Sequence, residues 1–446
     1  MRLSNSVFYR EYNEKTFLVD TRHHKTYCFD NPISQLLNQF KAETTVEMAK
    51  HKLFEMYPNA DKKVISDSVD KLTAFLSKNN MFHNSTILKV DDLGDTKPNT
   101  RFFQTYTIRE KILYSALFEL TYRCPEKCIH CYLEPNLSAE VYEQNKNLEL
   151  STKAILSALD QLSTLNVMGV TFTGGEPFLR SDIFDILDYA RKRNFLIDIF
   201  SNGILLDDNK INHLVGLCIN CFHSSLYSHI PEKHDSIIGI KGSFERTTSA
   251  LHSLSEKGVY VNIKFVLMEL NKKDFIPVVE FAKSIGATCQ LISCISPSKN
   301  GNCGLATLNV KNDYELKNVL QYWNSISDYN PNKGIVDYDA PICEAGRNSI
   351  SIDPYGNVTP CNAFPYIIGN LRKDSIKNIW QNSAKLKEWQ NTTIKNLKKC
   401  KGCKYTGYCS FCPGNALKYT GNMFGKVKET CRQARLNYEI NMEKKE

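Results

Sequence analysis

Cys124, Cys128 and Cys131 stand in the order C-x3-C-x2-C within Leu120-Thr-Tyr-Arg-Cys-Pro-Glu-Lys-Cys-Ile-His-Cys-Tyr132. Three thiolates on one short loop hold three irons of a cubane and leave the fourth open, whereas ordinary four-iron clusters are closed by four cysteines. An open iron is a place for an external ligand to bind and react. A structural zinc site of these cysteines plus His130 is the plainer alternative, but His130 directly precedes Cys131, and adjacent residues rarely both reach one tetrahedral ion. About forty residues on, Met168-Gly-Val-Thr-Phe-Thr-Gly-Gly-Glu-Pro177 reads as a buried strand running into two glycines, a carboxylate and a proline. Gly174 and Gly175 let backbone approach a ligand that any Cβ would push away.

The elements that must position these groups repeat. From about 110 to 295, short apolar runs alternate with longer stretches of 3.6-residue period, the pattern of βα units. Six strands are expected near Ser115–Thr121, Met168–Phe172, Leu196–Ser201, Cys218–Leu226, Tyr260–Leu267 and Thr288–Ser293, with helices between them. Ser151 is a plausible N-cap for the first, which sets Ile155, Leu159 and Leu162 on one face. Six such units predict an α/β fold, a partial (β/α)6 TIM-like barrel over 111–335 with function at the carboxyl ends of its strands. The cysteine triplet follows strand one and Gly-Gly-Glu-Pro follows strand two, which places both on one rim.

After about residue 335 the pattern stops and seven cysteines appear: Cys343, Cys361, Cys400, Cys403, Cys409, Cys412 and Cys431. This block, 336–446, reads as a separate module, and Ile350–Thr359 as a hairpin turning at Gly356. A zinc ribbon would use the C-x2-C pairs as well. The chain has 446 residues and 16 cysteines. It has no run long enough for a membrane span, and its start lacks a signal peptide's apolar stretch. A cytoplasmic, reduced setting is therefore expected, where so many cysteines favour metal ligation over disulfides. The net charge of +8 is mild, and scattered Lys and Arg read as a solvated surface rather than a nucleic-acid stripe.

The triplet and the Gly-Gly-Glu-Pro turn resemble those of the radical S-adenosylmethionine (SAM) enzymes, and the resemblance extends along the rim. It implies that SAM's amino and carboxylate groups fill the open iron, that Cys124, Cys128 and Cys131 are the catalytic cluster ligands, and that Gly174, Gly175, Glu176 and Pro177 form the methionine-binding loop. Glu176 or exposed main chain is then expected to meet the ammonium group, and His130 to pack on adenine. Ser201-Asn202-Gly203 resembles the family's T/S-N-G turn, which points Asn202 toward the cofactor. Ser225 matches the serine of its S-L-D segment, with Tyr227 at the usual aspartate. His234–Phe244 resembles H-D-x-x-R-G-x-x-G-S-F with Ile238 at the arginine, so Lys241 is the cation left to meet the carboxylate.

The carboxyl-terminal block is similar to the SPASM extension of radical SAM peptide-modifying enzymes, which carries two auxiliary clusters; its last pair is one residue shorter than the usual C-x3-C. By order, the resemblance assigns Cys400, Cys403, Cys409 and Cys431 to one cluster and Cys343, Cys361 and Cys412 to the other, three [4Fe-4S] clusters in all. The three-cysteine site has an open position for a substrate thiolate unless Cys303 closes it.

Residues 1–83 form a further unit. Lys15–Asp20 and Lys25–Asp30 suggest a hairpin, Pro32 a helix start burying Ile33, Leu36, Leu37 and Phe40, and Ile65, Val69, Leu72 and Leu76 a helical stripe. This resembles the winged-helix-like element that recognises leader peptides. Residues 1–89 hold thirteen Lys and Arg against ten Asp and Glu, too balanced for a DNA surface. Residues 84–110, with Asn84, Asp91, Asp92, Gly94, Asp95 and Pro98, read as a linker. Within the family the nearest subgroup is the sactipeptide-type thioether-forming maturases. Its implied partners are a precursor peptide with leader and an external one-electron reductant of flavodoxin or ferredoxin type. Alternatives are a carbon–carbon crosslinking peptide cyclase, a sulfatase-activating oxidase, and a zinc-stabilised peptide-binding protein without catalysis.

Overall fold

The computed structural model describes residues 1–13, 15–29, 33–83, 100–133, 145–327 and 336–443, with 100–104 as backbone only. Its amino-terminal part is a three-stranded antiparallel sheet in the order β1 (Val7–Tyr12), β2 (Lys15–Asp20), β3 (Lys25–Phe29). The sequence signals only β2 and β3. Val-Phe-Tyr-Arg-Glu-Tyr carries no period-two alternation, because β1 buries three consecutive residues at its start. Leu37, Phe40, Val69, Leu72 and Leu76 fill the core beneath the sheet, with Ile33, Leu36 and Ile65 packed against it. Pro32 and residues 84–99 lie outside the described residues; the second half of the stretch read as linker carries a helix at Thr100–Arg109.

The barrel strands are β4 (Ser115–Thr121), β5 (Gly169–Gly174), β6 (Leu196–Phe200), β7 (Cys221–Ser225), β8 (Val261–Val266) and β9 (Thr288–Ile292), all parallel. Strand seven is shorter than expected because Cys218 sits at φ +50, a left-handed conformation that turns the chain before the ladder begins. Ser151 caps the first barrel helix, accepting from Ala154 N at 3.3 Å. Large apolar side chains such as Phe118, Phe172, Ile199, Phe222 and Ile263 fill the main core.

The carboxyl-terminal hairpin, β10 (Ser349–Ile352) and β11 (Asn357–Thr359), turns at Gly356 with φ +87. It does not form a sheet of its own. β10 pairs in parallel with β4, and β12 (Gly369–Asn370) completes one nine-stranded sheet ordered β12-β11-β10-β4-β5-β6-β7-β8-β9. The cysteine-rich block is thereby anchored directly beside the strand that feeds the Cys124 loop.

The amino-terminal sheet docks at the opposite end. Phe8 and Val19 bury against Met168 and Leu196, which sit at the beginnings of β5 and β6. Arg10 donates to Val167 O (3.3 Å) and Asn194 O (2.9 Å), and the Tyr12 hydroxyl to Asn166 O (2.8 Å).

Candidate cofactor and cluster sites

The Cys124–Cys131 loop leaves β4 and is held by the end of the helix Pro231–Ile238. Lys127 N donates to Ile238 O (2.9 Å) and Ile129 N to Ile237 O (3.0 Å), so carbonyls that a helix end leaves unpaired fix the loop. The second clamp is the glycine pair. A Cβ on Gly174, whose φ is +137, would lie 2.1 Å from Thr121 O, and one on Gly175 2.3 Å from Arg123 O. The glycines are therefore required first for contact between two rim loops of this chain. Gly175 N and Glu176 N donate to Thr121 O (2.8 Å) and Arg123 O (2.9 Å), which commits those N–H groups.

A cavity of about 380 Å³ lies inside this rim, within the range of roughly 300–1,000 Å³ usual for small-molecule sites. Of the residues expected there, Cys124, Cys128, Cys131, His130, Gly174, Gly175, Asn202 and Ser225 line it. Three do not. Pro177 is buried at the start of a short helical turn, Lys241 is exposed away from the cavity, and Glu176 is turned behind the wall. The Glu176 carboxylate, fully buried, accepts from Phe178 N (3.0 Å), Ser201 Oγ (2.9 Å) and Asn202 N (2.9 Å). It joins the Gly-Gly-Glu-Pro loop to the Ser-Asn-Gly turn rather than facing a ligand. Burial pushes its carboxyl up to about 7.

Burial, then the neighbouring Glu126 carboxylate, pushes the Cys124 and Cys128 thiols up, and burial raises Cys131 too. A metal bound there, which requires thiolates, would supply the stabilisation that these surroundings withhold. Burial lowers His130 to about 4, so its ring is neutral at pH 7; it meets Tyr227 edge-on with centroids 4.6 Å apart. Sequence reading passed over Glu126, Cys294 and Asn362, all of which line the cavity. Glu126 had a signal, an acidic side chain between two cluster cysteines. Asn362 had none, since only the pairing of β10 with β4 brings it there.

Cys400, Cys403, Cys409 and Cys431 line a second cavity of about 400 Å³, edged by Lys399, Lys426 and Arg432. Cys343, Cys361 and Cys412 form the other group, Cys343 feeling the charge of both partners. Ala363 N points at Cys361 Sγ (3.4 Å) and Asn415 N at Cys412 Sγ (3.4 Å). Cys303 Sγ faces Gly301 O at 3.4 Å, while Cys294 is the further thiol that feels Cys412. Among the described residues no three Cys, His, Asp or Glu side chains close on a point as ligands of a single ion do. The barrel triplet and the later quartet each line a cavity.

Residues 118–282 match the Radical SAM superfamily, and residues 343–404 the SPASM iron-sulfur cluster-binding domain. The chain carries a radical SAM domain and a SPASM domain. The radical SAM match runs from within β4 through β8, and the SPASM match takes in Cys343, Cys361, Cys400 and Cys403, for which it answers to the iron–sulfur rather than the zinc reading. The antilisterial bacteriocin subtilosin biosynthesis protein AlbA of Bacillus subtilis (strain 168) is 28% identical over 313 residues, 67% of this chain and 66% of that relative. The PqqA peptide cyclase of Granulibacter bethesdensis is 25% identical over 304 residues, 62% of this chain and 76% of the cyclase. Streptococcus suis SuiB bound to S-adenosylmethionine superposes with a TM-score of 0.58 at 16% identity, covering 97% of this chain and 100% of SuiB, a likeness of fold. Among the described residues no helix is long and apolar enough to cross a membrane.

Proposed function

We propose that this radical SAM protein is a maturase that recognises the leader of a ribosomally made precursor peptide and installs an intramolecular crosslink, a thioether from cysteine to a peptide carbon. One observation carries the reading: Asn362, next to Cys361 of the SPASM domain, lines the same cavity as the barrel triplet. A substrate thiol held at the Cys343, Cys361 and Cys412 group would therefore sit beside the place where hydrogen is removed from carbon. The similarity to a bacteriocin biosynthesis protein and a peptide cyclase supports a peptide substrate.

Cys124, Cys128 and Cys131 would hold the cluster that SAM completes, with Gly174 and Gly175 offering main-chain acceptors and His130, Asn202 and Ser225 the cavity wall. Bound there, the cluster and SAM supply reductive cleavage of the C5′–S bond and a radical able to take hydrogen from an unactivated carbon. The protein would orient the cofactor within a wall that includes Phe200 and His223, stacked with ring centroids 4.2 Å apart. Thioether formation removes two hydrogens, one as an atom from carbon and one as a proton from the thiol. A cluster held by Cys343, Cys361 and Cys412 would supply the acceptor for the remaining electron. Two auxiliary clusters, an external flavodoxin or ferredoxin as reductant, and a cytoplasmic setting belong to the same reading. β3 ends the amino-terminal sheet, and Phe75 packs edge-on against its Tyr27 and Phe29. A leader peptide would add to that edge, gaining main-chain hydrogen bonds.

The match to a peptide cyclase favours a carbon–carbon bond as the second reading. Anaerobic co-expression with a short cysteine-containing open frame beside the gene, followed by alkylation and mass spectrometry, separates the two. The thioether requires loss of two hydrogens with one thiol no longer alkylatable per link. Loss of two hydrogens with every thiol alkylatable gives the carbon–carbon bond, and an unchanged peptide removes both.

A further inference from the structure

Among the described residues β9 is the last strand of the nine-stranded sheet, and one of its edges has no neighbouring strand. Leu267 N donates to Ile292 O (2.9 Å). Backbone groups alternate sides along a strand, so Thr288, Gln290 and Ile292 turn theirs toward β8, while Cys289 and Leu291 turn theirs to the open side. A groove of about 460 Å³ runs along this edge, lined by Thr288, Cys289 and Gln290 and, across from them, by Trp323 and Ile326 of the helix Asp313–Ile326. Side chains also alternate between the two faces of a sheet. A groove that meets Cys289 as well as Thr288 and Gln290 therefore touches both faces and lies at the edge itself.

Both ends of the groove open onto sites of the proposed reaction. Where β9 begins, Tyr260 lines the groove and packs against His24, with ring centroids 4.6 Å apart. His24 directly precedes β3, whose edge the leader would take. Where β9 ends, Ile292 is 39% exposed and lines the cofactor cavity. The five residues of β9 span about 16 Å at about 3.3 Å each, so a peptide of similar length in extended form covers the same distance. Among the described residues lining the groove Lys283 is the cation and there is no acid, which suits a neutral or acidic segment. We propose that the open edge of β9 is the track by which the precursor peptide passes from the leader site to the cofactor, an extended neutral or acidic segment of it adding to β9 as a further, parallel strand. Main-chain pairing holds such a segment without demanding much of its sequence. The inference rests on the peptide-substrate reading.

The test uses the anaerobic, cluster-loaded full chain. Its probe is the peptide encoded by the short cysteine-containing frame beside the gene, labelled at its amino terminus and followed by fluorescence anisotropy. Cys289→Pro deletes the N–H that faces the open side, at a place where an edge strand tolerates proline; Cys289→Ala keeps that N–H. One main-chain hydrogen bond is worth about two- to tenfold in affinity. Cys289→Pro is expected to bind the probe more weakly than Cys289→Ala by that factor, with S-adenosylmethionine binding and iron content alike in the two. Equal affinity of the two variants for the probe would overturn the proposal. A second measurement does not depend on proline being tolerated. Benzoylphenylalanine in place of Lys283, exposed beside the groove, is expected on illumination to join to the probe. An adduct within the chain, an adduct between two copies of it, or no adduct would each overturn the proposal. A wild type that binds no probe removes the peptide-substrate reading as well, an outcome distinct from a probe that binds both variants equally.

Discussion

Glu176→Gln tests whether the two rim motifs are joined by a carboxyl group that prefers to keep its proton. The side chain is fully buried and accepts from two backbone N–H groups and the Ser201 hydroxyl. Burial outweighs those bonds and raises its pKa from 4.5 to about 7. Between these values the folded chain retains a proton that the unfolded chain has released. Stability from this group is therefore fully present below the unfolded pKa and is lost as pH rises through the folded one. A gap of about 2.5 pH units at 1.36 kcal/mol each amounts to about 3 kcal/mol. Glutamine has the same shape and no charge, so it lacks this pH dependence. The stability of the variant minus that of wild type should climb by about 3 kcal/mol from pH 4.5 to 8. At about 1 °C per kcal/mol for a chain of 446 residues, paired thermal scans of the two proteins should show their Tm difference moving by roughly 3 °C in favour of glutamine. A Tm difference that stays flat with pH, or moves the other way, would refute the reasoning.

Three further outcomes are expected. Gly175→Ala would put a methyl 2.3 Å from Arg123 O; it should cost about 1–3 kcal/mol or more and weaken S-adenosylmethionine binding, read by equilibrium dialysis, because the loops separate. Cys128→Ala removes a barrel ligand, so iron should fall by about four per chain and 5′-deoxyadenosine formation should stop, while the quartet around Cys409 keeps its iron. Arg10→Ala removes the donors to Val167 O and Asn194 O, at about 1.5–3 kcal/mol for hydrogen bonds to a charged group. Limited proteolysis should release the amino-terminal sheet sooner, with cofactor cleavage unchanged and peptide turnover reduced.

Much of the barrel could be read from periodicity alone, because each parallel strand is a short apolar run and each crossover helix an amphipathic one. Ser115–Thr121 was expected with the same ends it has. β1 was not legible, since its burial follows the docking of Phe8 onto Met168 and Leu196 rather than any pattern in its own residues. The sites divide in the same way. Cys124, Cys128 and Cys131 line one cavity because close spacing along a loop already fixes which thiols face one space, whereas Cys431 is carried to Cys400, Cys403 and Cys409 by the helix Lys428–Glu443.

By itself, then, the sequence determined the barrel thiol triplet, the βα units and the glycine pair, all of which depend on neighbours a few residues away. Only the tertiary structure decided that Glu176 turns into the wall while Glu126 faces the cavity, that Lys241 points away, and that β10 joins β4 to bring Asn362 beside the barrel triplet. Those outcomes depend on which distant backbone donor or packed surface reaches a side chain first. A buried carboxylate goes where N–H groups satisfy it, and the groups that satisfy Glu176 lie as much as 26 residues further along the chain.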